Sequence, residues 1–341
     1  MTDIGKIEII TRPIPEPGAD EVLIKLEFVG ICGSDVHYFE HGRIGDYIVK
    51  PPFVLGHEAG GAVVKTGADV TSLNVGDRVA LEPGKTCGKC GYCKAGKYNL
   101  CPDVIFFATP PVDGVFQEYV THPAELCFKL PDKLSTIEGA LIEPLAVGFH
   151  AAAQSGASTG QKAVVFGSGC IGLVCMMALL AHGVTTVYQV DRIDKRLEKA
   201  LELGAAGTVN SAKEDPVEWL NRHTGGQGCD IAIDTSGSEA ALNQAVQATR
   251  KGGVVVMVGY SVSGRMNLQT SLAMDKEIRF ETVFRYRNVY KTAIDAVAEG
   301  KVNLAGVATD FFDLDELQYA LEQCISNKDN VVKAVVKVSM D

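Results

Sequence analysis

The sequence lacks a long apolar run, an excess of basic residues and any low-complexity tract. Its longest apolar stretch, Cys170–Ala181, is shorter than the roughly 18 residues that a membrane-spanning helix requires. The 341 residues carry a formal net charge of −10, whereas nucleic-acid-binding proteins usually present a basic face. No apolar targeting segment stands at the N-terminus. We therefore expect a cytoplasmic protein with no membrane partner and no nucleic-acid partner.

Length and local patterning predict two domains. A chain of 341 residues exceeds one ordinary hydrophobic core, and 46% hydrophobic residues is typical of a folded protein. The first 145 residues are predicted to form short strands broken by glycine and proline, at 21–28, 60–65 and 75–81. Short apolar strands then follow at 162–166, 185–191, 229–235 and 253–259. They alternate with helices at 171–182, 195–203 and 240–251, a pattern typical of a parallel sheet.

Past residue 286 the sequence becomes mixed again, with a helix predicted at 290–299 and a strand at 334–338. The predicted fold class is therefore α/β. We expect a β-rich domain at 1–145 with 287–341, interrupted by a doubly wound Rossmann domain at 146–286.

Four cysteines lie within fifteen residues, in the spacing Cys87-x2-Cys90-x2-Cys93-x7-Cys101. Gaps of two residues let successive sulfurs converge on one tetrahedral Zn²⁺. The alternative is a pair of disulfides, which are rare in the reducing cytosol. Because thiolates fill all four positions, the spacing predicts a closed, structural zinc site.

A glycine-rich turn, Gly167-Ser-Gly169-Cys-Ile-Gly172, follows a predicted strand and opens a predicted helix. This context is typical of dinucleotide binding, with the pyrophosphate at the helix N-terminus. Asp191 ends the next strand, where a carboxylate accepts hydrogen bonds from the adenosine ribose and repels a 2′-phosphate. The sequence therefore predicts NAD rather than NADP. Arg192 is a counter-signal, since an arginine there can pair with that phosphate, while Arg196 is placed along the adenosine edge.

Nine histidines and cysteines of the first part could bind metal: Cys32, His37, His41, His57, Cys87, Cys90, Cys93, Cys101 and His122. Taken alone, Cys32 would be a buried thiol and His57 a core histidine more often than metal ligands. Their flanking sequences favour ligation. The motif Gly56-His57-Glu58-x2-Gly61-x5-Gly67-x2-Val70 resembles the zinc-containing medium-chain alcohol dehydrogenase family, as does Gly30-Ile-Cys32-Gly-Ser-Asp. The resemblance implies a GroES-like catalytic domain beside the Rossmann domain.

Three strings resemble the polyol branch of that family, of sorbitol and xylitol dehydrogenase type. They are Cys32-Gly-Ser-Asp-Val-His-Tyr, Glu143-Pro-Leu-Ala-Val and Phe284-Arg-Tyr. The resemblance implies a catalytic zinc held by Cys32, His57 and Glu58, with Glu143 in or just behind the shell. Which carboxylate binds zinc directly stays open, because adjacent residues point apart on a regular strand and only a bend would turn both inward.

The implied reaction is reversible NAD-linked oxidation of a polyol's secondary hydroxyl to a ketose. Zinc lowers the pKa of the hydroxyl, and a hydride passes to the nicotinamide. The proton leaves through water with Glu143, or through Ser34 and His37; alternatively, these two are plain polar groups near a turn. The remaining hydroxyls would contact Tyr38, Glu143, Arg285 and Tyr286, although the last two could instead belong to a solvated cluster. We expect the cofactor site to include Gly167, Gly169, Ile171, Gly172, Asp191, Arg196, Val258, Val283 and Arg285.

Two other functions are compatible with these motifs. A zinc threonine 3-dehydrogenase of the same family uses a similar cysteine, histidine and glutamate set. A non-catalytic zinc protein could use the four-cysteine segment for interactions. The resemblance also implies a homotetramer, often formed through the last strand of the Rossmann sheet.

Overall fold

The structure is a computed structural model that describes residues 1–261 and 263–339. The chain divides into two compact units. The first comprises Met1–Glu143, Tyr290–Ala298 and Leu304–Asp341, and the second comprises Pro144–Val289 and Glu299–Asn303. Among the described residues, no helix is both long and apolar enough to cross a bilayer.

The first unit is built on a seven-stranded mixed sheet. Its longest strand, β1, runs from Glu21 to Gly30, and the alternation of side chains places Val22, Ile24 and Leu26 in the core. The sheet order is β16-β17-β1-β4-β5-β9, and β8 also pairs with β1. The strands of this unit are β1 Glu21–Gly30, β2 Arg43–Ile44, β3 Tyr47–Ile48, β4 Glu58–Thr66, β5 Arg78–Leu81, β6 Gly84–Lys85, β7 Ile105–Phe106, β8 Tyr119–Pro123, β9 Cys127–Lys129, β16 Asp310–Asp313 and β17 Ala334–Lys337.

The helices of this unit are short. They are α1 Gly33–His41, α2 Gly91–Lys94, α9 Tyr290–Ala298 and α10 Leu317–Ser326. Helix α1 ends at Gly42, whose φ of +67° is the left-handed conformation that glycine adopts without strain. A further helix, α3 at Thr136–Ser155, contains the boundary between the two units.

The second unit is a six-stranded parallel sheet flanked by helices, in the order β12-β11-β10-β13-β14-β15. Strand order reverses between β10 and β13, so their carboxyl ends form the crevice where doubly wound sheets bind ligands. The strands are β10 Lys162–Phe166, β11 Thr186–Asp191, β12 Gly207–Asn210, β13 Cys229–Asp234, β14 Thr249–Met257 and β15 Arg279–Thr282. The helices are α4 Cys170–Ala181, α5 Asp194–Glu202, α6 Pro216–Thr224, α7 Glu239–Ala248 and α8 Thr270–Asp275. The predicted fold class is confirmed.

Several element predictions were wrong. The short strands predicted for residues 1–145 left out the helices there, which are α1, α2 and the start of α3. Helix α3 was missed because Pro144 lies in its interior, where proline normally interrupts a helix. Helix α7 ends at Ala248 rather than Lys251, because Thr249 is already extended (φ −76°, ψ 135°) and begins β14.

Candidate active site

Three potential metal ligands converge in the first unit. Cys32 precedes α1, His57 precedes β4, and Glu58 is the first residue of β4. Their thiol, imidazole and carboxylate ligand atoms all lie within 4.8 Å of one another. His57 and Glu58 share this point because Gly56 bends the chain with a φ of +92°. A Cβ on Gly56 would lie 2.8 Å from the ring of Phe116, so both space and conformation favour glycine here.

Asp35 ties two of the ligand segments together. One carboxylate oxygen accepts a hydrogen bond from the Cys32 N–H at 2.9 Å, and the other accepts from the Gly56 N–H at 2.8 Å. The side chain is fully buried, and burial raises the pKa of Asp35. Asp35 therefore positions Cys32 and His57 relative to each other. Sequence reasoning assigned it no role, although its place three residues after Cys32 is that of a helix-capping acid.

Lys333 is a second residue that the sequence reading missed. It follows α10 in the chain, and its ammonium forms an ion pair with the Glu58 carboxylate. The same nitrogen donates to the Ile31 carbonyl at 2.8 Å. Both side chains are almost completely buried. A Cβ on Gly30 would lie 2.0 Å from a Glu58 oxygen, so any other residue there would displace the Glu58 carboxylate from its present position.

The surroundings of His57 favour a positive charge at this point. Burial lowers the pKa of His57, but the Cys32 thiolate, Asp35 and Glu143 outweigh it and raise the pKa to about 10. A cluster that attracts a proton in this way also attracts a divalent cation. Thiolate, imidazole and carboxylate are ligands of zinc, and three protein ligands leave a fourth position open. The residues present therefore fit a catalytic zinc.

The other candidates of this region occupy different positions. Ser34 and His37 lie three residues apart on α1, hence on one face of the helix. Tyr38 is buried and packs its ring against Phe53 at 6.4 Å between centroids. Among the described residues, neither metal-binding group includes His37, His41 or His122. The rings of His37 and His41 pack edge to face, with their centroids 4.6 Å apart.

Glu143 lies on α3, is buried, and influences both His57 and Glu82 electrostatically. It is not a member of the three-residue group. Burial raises the pKa of Glu82 to about 7, with a contribution from Glu143 and an opposing hydrogen bond from Tyr98. The Tyr98 hydroxyl donates to Glu82 at 2.8 Å. Tyr98 itself lies between Cys93 and Cys101, so the four-cysteine segment contacts this acid directly.

The second metal-binding group consists of the four cysteines. The sulfur–sulfur distances are 3.4 Å for Cys90–Cys93, 3.5 Å for Cys87–Cys101 and 4.0 Å for Cys87–Cys93. Four thiolates bound to one tetrahedral zinc at about 2.3 Å would lie about 3.8 Å apart. Backbone N–H groups of Lys89 and Cys90 lower the pKa of Cys87 to about 7, which favours the thiolate. All ten cysteines of the chain are free of disulfides.

The glycine-rich turn joins β10 to α4 in the second unit. Gly167 has a φ of +97°, and a Cβ on Gly172 would lie 1.8 Å from the Gly167 carbonyl oxygen. Gly169 is the N-cap of α4, so the N–H groups of the first turn face an end without a capping side chain. Ile171 lies in that first turn. The turn is therefore shaped to receive an anion at a helix N-terminus.

Asp191 lies at the carboxyl end of β11, beside the glycine-rich turn. Its carboxylate accepts hydrogen bonds from the N–H groups of Ser168 at 2.6 Å, Arg192 at 2.7 Å and Ile193 at 3.0 Å. A guanidinium nitrogen of Arg196 lies 3.8 Å from the point where a Gly169 Cβ would be. Val258 follows β14 and Val283 follows β15, at the same edge of the sheet. The structure thus brings these predicted cofactor residues to one edge.

Arg285 and Tyr286 lie in the second unit, after β15. The Arg285 guanidinium lies over the Phe284 ring, 5.0 Å from its centroid. Tyr286 is buried, with 3% of its surface exposed, so it is not part of a fully solvated cluster.

Comparisons with known proteins agree with this arrangement. Residues 18–132 match the alcohol dehydrogenase GroES-like domain, and residues 170–299 match the zinc-binding dehydrogenase domain. The chain is 42% identical to sorbitol dehydrogenase of Bacillus subtilis, over 98% of this chain and 95% of that protein. It is 41% identical to a probable D-xylulose reductase A of Aspergillus terreus, over 96% and 94%.

Among solved structures, an Escherichia coli oxidoreductase/dehydrogenase of unknown specificity superposes with a TM-score of 0.95. It is 41% identical, and the match covers 99% of this chain and 98% of that one. Both halves of the sequence and the two metal-binding groups therefore lead to one assignment. The chain belongs to the zinc-containing medium-chain alcohol dehydrogenase family.

Proposed function

We propose that this protein is a zinc- and NAD-dependent dehydrogenase that reversibly oxidises a secondary hydroxyl of a polyol, of sorbitol or xylitol type, to a ketose. The convergence of Cys32, His57 and Glu58 carries the proposal, because it offers a zinc site with an open position. Similarity along nearly the full chain to a sorbitol dehydrogenase and a probable D-xylulose reductase supports a polyol as the substrate class.

The chain's own residues would divide the work as follows. Zinc held by Cys32, His57 and Glu58 supplies a Lewis acid that lowers the pKa of the substrate hydroxyl, and NAD accepts the hydride. Asp35 fixes the positions of the Cys32 and His57 segments relative to each other. Glu143, buried beside them, either completes the metal shell or orients a water molecule that carries the proton away. Ser34 and His37, on one face of α1, provide the second proton route.

Selectivity for polyols would come from polar side chains. The resemblance to polyol dehydrogenases supports this role for four side chains, which would hydrogen-bond the hydroxyls that do not react: Tyr38, Glu143, Arg285 and Tyr286. A site built for several hydroxyls rejects analogues that lack them, because its polar groups are then left unpaired. The cofactor would lie with its pyrophosphate at Gly167–Gly172 and its adenosine ribose at Asp191, where the carboxylate favours NAD over NADP.

The proposal extends to the oligomeric state and the cellular location of the protein. We place the protein in the cytoplasm as a homotetramer with no nucleic-acid or membrane partner. Strand β15 supports an assembly of this kind, since it ends the sheet order and pairs only with β14 among the described strands. Light scattering on the purified protein measures the oligomer directly.

The test of the function is a substrate panel with the zinc-loaded enzyme, measured by NADH absorbance. Xylitol and sorbitol should give a kcat/KM far above that of ethanol and 2-propanol, and the products should be ketoses. A preference for threonine would assign the protein to the threonine dehydrogenases. Failure to form NADH with every alcohol would favour a non-catalytic zinc protein.

Arg285 provides a sharper version of this test. Arg285→Ala should lower kcat/KM for polyols far more than for 2-propanol, which has no further hydroxyl to contact. Arg287→Ala is the matched control, since Arg287 follows on the same segment and its guanidinium donates to Gln154 at 3.4 Å. An equal loss on all alcohols would make Arg285 a cofactor or structural residue instead.

A further inference from the structure

Two buried polar side chains, Ser168 and Gln189, form hydrogen bonds within and to the glycine-rich turn of the second unit. The Ser168 hydroxyl donates to the Gln189 side-chain oxygen at 3.0 Å, and the Gln189 amide donates to the Gly172 carbonyl at 3.0 Å. Neither Ser168 nor Gln189 exposes any surface. The two bonds connect the start of the turn, the first part of α4 and the middle of β11.

A glutamine in the interior of a parallel strand needs an explanation. Burying an amide without hydrogen bonds is costly, and an apolar residue would fill the same position on β11 without that cost. Here both ends of the Gln189 amide are paired, and both partners belong to the segment from Gly167 to Gly172. The polar pair therefore fixes this segment in one conformation, which an apolar side chain could not do.

The same segment has further restraints. Asp191, two residues after Gln189 on β11, accepts the Ser168 N–H. Just after the neighbouring strand β13, the Thr235 hydroxyl donates to the Phe166 carbonyl at 2.9 Å and to the Gly167 carbonyl at 3.3 Å. Asp191 is also the residue assigned to the adenosine ribose. Without Gln189, Asp191 would be the side chain that holds the Ser168 N–H, so the same carboxylate would have to position the turn and bind the ribose.

We propose that Ser168 and Gln189 form a positioning pair that presents the N–H groups of the glycine-rich turn to the pyrophosphate of the dinucleotide. The pair does not touch the ligand; it acts through the backbone of Gly167–Gly172. This inference rests on the proposed function, because it takes that turn to be the pyrophosphate site. It predicts that loss of the pair lowers the affinity for ligands that contain a pyrophosphate and leaves the affinity for ligands without one unchanged.

The experiment compares wild type with Gln189→Met, Ser168→Ala and the double variant. Dissociation constants are measured on the enzyme without substrate, by NADH fluorescence and by competition with ADP-ribose or adenosine. Ser168→Ala removes one of the two hydrogen bonds and should bind NADH and ADP-ribose roughly tenfold more weakly, whereas Gln189→Met removes both and should bind them more weakly still. Adenosine binding and kcat at saturating NAD should change little. The double variant should be little worse than Gln189→Met, because that single change already removes both hydrogen bonds.

Thr224→Val is the matched control. Thr224 is also buried, and its hydroxyl donates to the Leu220 carbonyl at 2.8 Å, at the end of α6. The Thr224→Val variant should be less stable than wild type and should bind ADP-ribose with unchanged affinity. Hydrogen exchange of the Gly167–Gly172 amides should speed up in Gln189→Met and remain unchanged in Thr224→Val.

The outcomes separate the two proposals. If wild type binds neither NADH nor ADP-ribose, the proposed function itself is wrong. If wild type binds both and Gln189→Met binds them equally well, the positioning role is wrong. An equal loss of adenosine and ADP-ribose in Gln189→Met would also contradict it, since the pair would then only stabilise the fold.

Discussion

Lys333 and Glu58 form an ion pair that is buried next to the candidate catalytic metal site, although 275 positions separate them in the sequence, from 58 to 333. Lys333 also holds the carbonyl of Ile31, the residue before Cys32. One ammonium thus restrains two of the three ligand segments. It also supplies a positive charge beside Glu58, so a metal bound at this site would share the carboxylate with the lysine.

Lys333→Met should destabilise the metal-free protein more than the zinc-loaded protein. Breaking a buried pair leaves a carboxylate without a counter-charge, which typically costs about 3–5 kcal/mol, whereas bound zinc would compensate that charge. Thermal unfolding with and without zinc measures the difference.

Lys65→Met is the control, since its ion pair with Glu16 is exposed and such pairs contribute at most about 1 kcal/mol. The double variant Lys333→Met with Glu58→Gln should recover part of the lost stability. If Lys333→Met is destabilised equally with and without zinc, Glu58 does not share its charge with the metal.

The two metal sites should differ in lability. Metal analysis of active protein should find two zinc ions per chain. Mild chelation should remove one, together with activity, and leave the fold largely intact, because four thiolates close the Cys87–Cys101 site. Cys32→Ser should lose the labile zinc alone, and Cys90→Ser the other zinc together with stability. One zinc per chain in fully active protein would contradict this.

The sequence predicted the elements that depend on local spacing. Two-residue gaps between cysteines and a glycine turn after an apolar strand each specify a site within a short segment, so Cys87–Cys101 and Gly167–Gly172 were recognisable. The bend at Gly56 was also foreseeable, because adjacent His57 and Glu58 could meet only if the strand was interrupted there.

Residues that act across the fold were not predictable in this way. Lys333 reaches Glu58 only because β17 pairs with β1, and no local pattern specifies that pairing. Gln189 looked like one more residue of an apolar strand, and its partners Ser168 and Gly172 become visible only when α4 packs on β11. The prediction missed helix α3 for the opposite reason. Pro144 is a local signal against a helix, but the surrounding fold outweighs it.

Asp191 should decide the choice of cofactor. Asp191→Ala and Asp191→Asn should both weaken NAD⁺ use and improve the relative kcat/KM for NADP⁺, because each removes the charge that repels a 2′-phosphate. The alanine variant should also melt at a lower temperature, since three backbone N–H groups lose their acceptor, whereas asparagine keeps a carbonyl oxygen. Steady-state kinetics with both cofactors and melting curves measure these effects. If wild type uses NADP⁺ at least as well as NAD⁺, the ribose assignment is wrong.

His122 should contribute to acid sensitivity. Its ring is buried, bonds the Glu82 carbonyl at 2.8 Å, and has a pKa lowered by burial to about 4. The folded state therefore binds fewer protons than the unfolded state between about pH 4 and 6.5, and stability falls as pH drops through that window. A shift of this size corresponds to at most about 3 kcal/mol.

His122→Gln keeps a donor for the Glu82 carbonyl and removes the titration. Denaturant unfolding at pH 7.5 and 5 should show a smaller loss of stability in the variant than in wild type. His150, whose pKa burial and Arg287 lower to about 4, remains in the variant and retains part of the loss. The same pH dependence in both proteins would show that His122 does not titrate as described.

The central claim is that the enzyme removes a hydride from a secondary carbon of a polyol. Sorbitol carrying deuterium at C2, and separately at C1, tests it when the NADH formed is analysed by mass spectrometry. The account predicts deuterium in the NADH from C2-labelled sorbitol, with fructose as the product and a slower reaction than with unlabelled sorbitol. Deuterium transferred from C1 instead, with an aldose as the product, would contradict it.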